Sequence, residues 1–236
     1  VGIAQTLVGW FILACGLLYM ATGASLAPYR LFERWQRPRP RVMGSLVRLG
    51  LPMGMSGFIE ISSFTLNSLF IAQLGAAVVA GHRIVANLTT ICYMLPLALA
   101  IATMAQVGFA VGARDWQRAK VSALAGIALA CVAAMLLGGV LWFGKWPLVA
   151  AYTDDPQVRA VALSLIAYVI GFQIFDAIQT IASFALRGYK ITFVPMLVHL
   201  FCFWGIGLFG GWWLAFRWHE PMGVTGFWLA LLLSLI

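Results

Sequence analysis

An all-α membrane protein with about seven transmembrane helices is the fold that the sequence predicts, on two observations. The first is composition: of 236 residues, 63% are hydrophobic and only 9% are charged, against about 45–50% apolar and about 25% charged residues in soluble domains. The second is that the apolar residues form repeated runs of the roughly 20 residues that a helix needs to cross a bilayer. We expect spans at residues 1–27, 50–74, 84–110, 119–144, 158–186 and 191–216, with a seventh that begins near 222 and continues to Ile236.

One long connector separates the first span from the others, and its composition is that of a linker. Residues 28–48, PYRLFERWQRPRPRVMGSLVR, contain Pro28, Pro38 and Pro40, and proline lacks the backbone N–H that a helix interior requires. The other connectors are short. The sequence therefore predicts three parts, which are a first helix at 1–27, a linker at 28–48 and a helical bundle at 49–236.

Basic residues are concentrated on one side of the predicted membrane. Eleven of the 15 Lys and Arg residues fall in the linker or in the loops at 112–120 and 187–190. Because short cytoplasmic loops are enriched in Lys and Arg, this places the linker and both loops in the cytoplasm. The expected partner of this basic chain is the lipid bilayer, not nucleic acid. The eleven residues are Arg30, Arg34, Arg37, Arg39, Arg41, Arg48, Arg114, Arg118, Lys120, Arg187 and Lys190.

Two acidic residues, Glu60 and Asp176, lie deep inside predicted spans. Glu60 follows the basic residue Arg48 by twelve positions, and Asp176 precedes Arg187 by eleven. At 1.5 Å per residue, both acids lie on the order of 17 Å from the same membrane surface, near the middle of a bilayer core of ~30 Å. Two acids at one depth on different helices predict a common site.

Each acid shares a helix face with other polar residues. A polar face in a span must meet protein or water, since lipid offers no hydrogen-bond partner. On the next span, Asn87 and Thr90 share a face that either lines a cavity or packs between helices, whereas His82 is expected at the outer interface. The two polar faces consist of Ser56, Glu60, Ser63 and Asn67 on one span, and of Gln173, Asp176, Gln179, Thr180, Ser183 and Arg187 on the other.

The energetics favour a functional role for the acids over a structural one. Inserting an Asp at mid-membrane costs about 2.5–3.5 kcal/mol, whereas an interhelical hydrogen bond contributes about 0.6 kcal/mol on average. Asn or Gln would join helices at a lower cost. An apolar environment favours the protonated acid and a bound cation favours the carboxylate, so such a group can exchange a proton for a cation. Permanently protonated, hydrogen-bonded acids remain the structural alternative.

Several stretches of the sequence resemble one family of transporters. RLGLPMGMSGFIEISSF, LGAAVVAGHRIVANLTTICYMLPLALAIA, VGFAVGARD and DAIQTIASFALRGYK resemble the multidrug and toxic compound extrusion (MATE) family, most of all its bacterial drug antiporters. The resemblance implies twelve helices in two lobes. Residues 1–27 would be the sixth helix, 28–48 the cytoplasmic linker, and 49–236 the C-terminal lobe, cut inside its last helix. The chain would then be a fragment whose partner is the missing N-terminal lobe.

The resemblance also implies a function and a role for the two acids. It implies a multi-pass protein of the inner membrane that expels small cationic amphipathic compounds in exchange for H⁺ or Na⁺, with no cofactor and no catalytic residue. Glu60 and Asp176 would couple the cation, as the only candidate Na⁺ ligands. Some sodium-coupled members carry Tyr where this chain has Phe172, and the missing hydroxyl favours H⁺. The four cysteines have no spacing that predicts a metal site or a disulfide.

Two other functions remain as alternatives. A related lipid-precursor flippase would share the architecture but would need several cationic side chains in its cavity. An intramembrane aspartyl protease would need two close Asp residues that share a proton. The chain offers one Glu and one Asp inside its spans, which disfavours the protease.

Overall fold

The computed structural model describes residues 2–22 and 39–236, and within these ranges seven helices contain most of the residues. Six of these helices are long and apolar enough to span a membrane, and the seventh is a shorter apolar helix. The predicted all-α membrane fold is therefore confirmed. The helices are α1 Gly2–Thr22, α2 Pro40–Ile71, α3 Ala76–Gly112, α4 Trp116–Ala150, α5 Pro156–Gly188, α6 Phe193–Phe216 and α7 Val224–Leu233.

Most of the helices extend beyond the predicted spans. The longest, α3, has 37 residues, which at 1.5 Å per residue is about 55 Å and exceeds the ~30 Å apolar core of a bilayer. Hydropathy detects only the part of a helix that matches the apolar core. The backbone continues its i to i−4 hydrogen bonds into the polar interface, so a hydropathy criterion underestimates the lengths of α2, α3, α4 and α5.

The helix that follows the predicted linker also begins earlier than expected. Residues 28–38 of that segment lie outside the described part of the chain, but α2 starts at Pro40, inside the predicted linker of 28–48. Proline is well tolerated at the first helical position, where its missing N–H would have no intrahelical acceptor. The prolines predict resistance to helix formation through the middle of the segment, and Pro40 marks the start of a helix toward its end.

The chain divides into two units, residues 1–46 and residues 47–236. In the first unit, none of the described residues of α1 is buried. The second unit contains the hydrophobic core and most of the buried polar side chains. The sites described below all lie in this second unit, which we call the lobe.

Three helices, α3, α4 and α5, form the most closely packed part of the lobe. The side chains between them are small, because Ala130 and Ala134 of α4 are fully buried against Ala177 of α5. A Cβ atom built on Gly81 would lie 2.7 Å from Val161, and one on Gly188 would lie 3.0 Å from the carbonyl oxygen of Met104. These contacts join like ends of α3 and α5, so the two helices run parallel and their backbones lie close together.

The turns that follow α3 and α5 lie at the same end of the lobe. At Arg114 and Lys190 the backbone has φ values of 60° and 63°, a left-handed conformation that costs non-glycine residues about 1–2 kcal/mol. Asp115 then caps α4, because its side chain accepts a 2.9 Å hydrogen bond from the N–H of Arg118. The cationic loops that the sequence placed on one side of the membrane are therefore on one side of the lobe.

The sixth helix contains a segment that the sequence did not reveal. Within α6, residues Leu200–Gly210 form a π-helix between two α-helical ends, Phe193–His199 and Gly211–Phe216. A π-helix is wider than an α-helix and is rare outside functional sites. The sequence showed only one uniform apolar run at 191–216, and apolar residues alone do not distinguish the two helix types.

We expect Gly126→Ala to destabilise the lobe. Gly126 of α4 faces Thr103 of α3, and an added Cβ would lie 2.8 Å from the Thr103 methyl group. Thr103 is buried and its hydroxyl donates to Leu99 O at 2.8 Å, so it has little freedom to move. Overpacking of this kind costs about 1–3 kcal/mol, measurable as a lower melting temperature in detergent.

A matched control is available on the same helix. Nothing lies within 4 Å of a Cβ built on Gly139, so Gly139→Ala should leave the melting temperature unchanged or raise it, because Ala is the better helix former. Adding Thr103→Ala to Gly126→Ala should recover most of the lost stability. Equal melting temperatures for the two single glycine variants would contradict the close packing of α3 and α4.

Candidate functional site

Four helices of the lobe surround a cavity of about 300 Å³. Helix α2 contributes Glu60, Phe64 and Ser68, which are four residues apart and therefore lie on one helix face. Helices α3, α5 and α7 form the other walls. They carry His82, Thr90 and Tyr93 on α3, Phe172 and Asp176 on α5, and Trp228 on α7.

The two acids of the predicted spans meet at this cavity. Glu60 is half-buried and Asp176 is 3% exposed, and both line the wall. Their carboxyl groups are close enough to interact electrostatically. Two carboxylates in an apolar cavity repel each other, so the arrangement favours a proton or a cation between them.

A positive charge in the last turn of α5 acts on Glu60. Arg187 is half-buried there and interacts electrostatically with Glu60 and with Tyr93. Its guanidinium also lies 4.3 Å from the centre of the Phe184 ring. Arg187 is not part of the cavity wall, and no Lys or Arg is among the described residues that line it. The wall therefore carries acidic groups, and the positive charge that acts on Glu60 comes from outside the wall.

Aromatic rings form much of the remaining wall. Phe172 lies edge-on to Phe64 and to Trp228, with ring centres 5.9 Å and 6.1 Å apart. Phe172 and Trp228 are almost fully buried, at 2% and 1% exposure. Aromatic faces attract organic cations and also bury apolar groups. The wall thus combines two acids with surfaces suited to an apolar, positively charged molecule.

Most of the other polar residues predicted for the site are buried but do not line this cavity. Ser63 donates a 2.9 Å hydrogen bond to Phe203 O of α6, and the Gln179 amide contacts the ring of His199. The Asn67 and Gln173 amides are buried without a hydrogen-bond partner among the described residues. Ser56 and Thr180 are also buried. The polar faces of α2 and α5 are thus turned into the protein, and only part of each reaches the cavity.

The two candidates on α3 differ in what they reach. Thr90 lines both the cavity and a more open pocket of about 450 Å³ next to Arg83, whereas Asn87 lines that second pocket and is not part of the cavity wall. The side-chain oxygen of Asn87 accepts a 2.7 Å hydrogen bond from the hydroxyl of Tyr152. Asn87 therefore connects α3 to the end of α4 and does not join the acids.

Several residues of the wall were not among the predicted site residues, and three of them show why. His82 was expected at the outer interface, but it is 5% exposed and lines the cavity. Ser68 could have been found, since it lies two helical turns beyond Glu60 on the same face. Trp228 had no such signal, because only the fold brings the short helix α7 against α3 and α5.

Helix α2 is held near Glu60 by side-chain hydrogen bonds from the π-helical segment of α6. The indole N–H of Trp204 lies 3.2 Å from Ile59 O and 3.2 Å from the Ser62 hydroxyl, while Ser63 bonds to the neighbouring Phe203 O. These contacts flank Glu60 on the helix. They orient the face of α2 that carries the acid.

The side chains at the site determine which ions it can bind. In the two described ranges, no group of three or more His, Cys, Asp and Glu side chains comes together as a metal site would require. The side chain one helical turn before Asp176 is Phe172, which supplies no oxygen. Besides the two carboxyls, the hydroxyl-bearing side chains that line the cavity are Thr65, Ser68, Thr89, Thr90 and Tyr93.

Comparisons with known proteins agree with this architecture. The family model described as MatE matches residues 52–213. A probable multidrug resistance protein NorM of Aromatoleum aromaticum is 52% identical over 240 residues, which cover 100% of this chain and 51% of the relative. Multidrug resistance protein PmpM of Pseudomonas aeruginosa is 38% identical, covering 99% of this chain and 51% of that protein. The chain thus spans about half the length of these relatives.

Solved structures show the same fold. The crystal structure of the eukaryotic MATE transporter AtDTX14 superposes with a TM-score of 0.85 at 19% identity, covering 96% of this chain and 50% of that one. At this identity the similarity supports the fold alone.

We expect Trp204→Phe to loosen α2. The variant keeps an aromatic ring and removes the N–H that bonds to Ile59 O and the Ser62 hydroxyl. Interhelical hydrogen bonds in membranes contribute about 0.6 kcal/mol on average, so the loss of melting temperature should be small. Trp213→Phe is the control, because the Trp213 ring is 47% exposed on the same helix. If both variants melt alike, the Trp204 contacts do not hold α2.

Proposed function

Because the chain belongs to the MatE family, whose members are transporters and not enzymes, we propose that it forms one lobe of a secondary antiporter that expels cationic amphipathic drugs. The observation that carries the proposal is the cavity in which Glu60 and Asp176 lie among aromatic side chains. Transporters of the MATE family are coupled to ion gradients. The acids supply the negative charge that a coupling ion and a cationic drug would both require.

Competition for these acids is the proposed coupling mechanism. A cationic drug binds best when the carboxyls are ionised, since opposite charges attract strongly in an apolar cavity. Uptake of the coupling ion neutralises the acids and lowers the affinity for the drug. A coupling ion can shift an equilibrium between two states of the transporter only if it binds one state more tightly than the other. The two acids provide such a difference in affinity. Inward movement of one charge contributes ~2.3 kcal/mol per 100 mV of membrane potential.

We favour H⁺ over Na⁺ as the coupling ion. A proton needs only one carboxyl oxygen, whereas a sodium ion needs several oxygen ligands. Phe172 occupies the position one turn before Asp176 where a hydroxyl would help to coordinate Na⁺, and its ring packs against Phe64 and Trp228. The aromatic surroundings of Asp176 therefore support exchange of a proton.

The flippase alternative finds less support in the cavity. An anionic lipid precursor would need cationic side chains at the wall, and none of the described wall residues is Lys or Arg. The protease alternative is excluded by the family, which consists of transporters. The chain covers about half of its relatives, and repeat-built transporters work by moving one bundle against another. We therefore expect a second lobe to complete the antiporter.

We expect Asp176→Asn to abolish drug efflux without unfolding the protein. The amide has nearly the same size and can still form hydrogen bonds, but it cannot exchange a proton or bind a cation as a carboxylate does. Efflux should be measured in vesicles with the protein expressed from its complete coding sequence, under imposed proton and sodium gradients. Melting in detergent should stay normal, because a neutral amide in the membrane costs less than a charge.

Glu60→Gln tests whether the two acids act as one site. Each single variant and the double variant should lose efflux to a similar extent, since groups that act as a unit are not additive. Gln179→Leu is a matched control on α5, because Gln179 contacts His199 and does not line the cavity. Near-normal efflux by Asp176→Asn would mean that Asp176 is a structural hydrogen-bonding group.

The orientation in the cell membrane can be tested by labelling. Cysteines placed at Ala76 and Asp154 should react with impermeant thiol reagents from outside intact cells, while one at Ala113 should react only after permeabilisation. The reason is the concentration of Lys and Arg at the end of the lobe that contains Ala113. All three positions are exposed, so access depends on the side of the membrane. The reverse labelling pattern would invert the proposed orientation.

A further inference from the structure

His82 connects three helices at the wall of the cavity. The indole N–H of Trp228 on α7 donates a 3.3 Å hydrogen bond to His82 Nδ1. The other ring nitrogen, Nε2, lies 3.2 Å from the hydroxyl oxygen of Ser68 on α2. The Ser68 hydroxyl in turn donates to Phe64 O at 3.0 Å. His82 on α3 therefore joins α2 to α7.

The chemistry of the partners determines the form of the imidazole. An indole N–H can only donate, so Nδ1 must accept and carries no proton. The Ser68 hydroxyl has one proton and gives it to Phe64 O, so its oxygen accepts the proton of Nε2. His82 is therefore a neutral imidazole protonated at Nε2. Each donor in this chain of hydrogen bonds has one acceptor, and a second proton on Nδ1 has no place while the Trp228 bond exists.

A chain of contacts connects this histidine to the acids. The Trp228 ring lies 5.9 Å from the His82 ring and 6.1 Å from the Phe172 ring, and Phe172 is one helical turn from Asp176. On α2, Ser68 is eight residues from Glu60, about 12 Å along the helix. The packing around Trp228 is tight, because Trp228 is 1% exposed. A change at His82 therefore reaches the turn before Asp176 through packed aromatic rings, and it reaches Glu60 along helix α2 from Ser68.

We propose that His82 is a positioning residue that holds Trp228 in the cavity wall in its neutral form and releases Trp228 when Nδ1 takes up a proton. The Nδ1–H of an imidazolium would face the indole N–H, and two donors cannot share a hydrogen bond. Release would separate α7 from α3 at this end of the cavity. This goes beyond the proposed exchange at Glu60 and Asp176, because it adds a second proton-sensitive group that acts on the shape of the wall.

Other charged groups around His82 must be separated from its own titration. Arg187, which interacts with Glu60, lies at the far end of α5, because Gly81 contacts Val161 while Gly188 contacts Val107. Helix α7 has no titratable residue between Val224 and Leu233. Among the described residues, the other charged or titratable groups near His82 are Glu60 on α2, Arg83 and Tyr93 on α3, and Asp176 on α5, with Cys92 and Tyr168 in the surrounding apolar cluster.

The first test is the protonation state of His82. In the protein expressed from its complete coding sequence and labelled with ¹⁵N-histidine, the two nitrogen shifts of His82 should report the Nε2–H tautomer at alkaline pH. The chain has three histidines, and His82→Asn assigns the signal. If that variant does not fold, replacing His199 and His219 in turn assigns it by elimination. An Nδ1–H tautomer would overturn the proposal.

The second test follows Trp228 directly. With 5-fluorotryptophan incorporated, Trp228→Phe identifies the Trp228 ¹⁹F resonance, which should shift with pH with the same midpoint as the His82 nitrogens. In His82→Asn the amide oxygen can still accept from the indole but cannot be protonated, so the shift should disappear. It should persist in the Glu60→Gln and Asp176→Asn double variant. A shift that survives in His82→Asn, is absent from the wild-type protein, or vanishes with the two acids would overturn the proposal.

Discussion

Lipid offers no hydrogen bonds, and this constraint organises the lobe. Each polar side chain inside a span must find a partner within the protein or face an aqueous cavity. Some polar side chains satisfy this requirement through hydrogen bonds between helices, namely those of Ser63, Trp204, Ser68, His82 and Trp228. Glu60 and Asp176 satisfy the same requirement by facing the cavity. The same rule that turns polar residues inward thus gathers the ionisable groups in one place.

The helices of the lobe are held together in two different ways. Small side chains bring α3, α4 and α5 into close contact, as at Gly126 and Ala134. Helix α2 is instead held by hydrogen bonds from α6 and from His82. Close packing depends on many contacts and is difficult to alter, whereas a few hydrogen bonds can exchange partners.

Aromatic residues give the cavity its chemical character. Phe64, Phe172 and Trp228 surround the acids with low-dielectric surface, which strengthens the attraction between a carboxylate and a bound cation. The same surroundings make an ionised acid without a partner costly. Either a drug cation or a proton lowers that cost by neutralising the acid. Because both act on the same carboxyl groups, one can replace the other. The π-helical segment of α6 contributes by orienting the turn of α2 that presents Glu60.

The sequence by itself determined the membrane fold, because composition and helical periodicity are local properties. It also predicted that the cationic loops lie on one side and that Glu60 and Asp176 lie close together. It underestimated the lengths of α2 to α5, did not reveal that α2 begins as early as Pro40, and gave no sign of the π-helix at Leu200–Gly210. Only the tertiary structure decided which polar residues reach the cavity. Asn87 and Gln173 have polar side chains suited to a site but do not line the cavity, whereas His82 and Trp228 do. Trp228 lines the cavity because α7 packs against α3 and α5, and no sequence pattern predicts that packing. A side chain's neighbours on other helices depend on long-range packing, which local patterns do not encode.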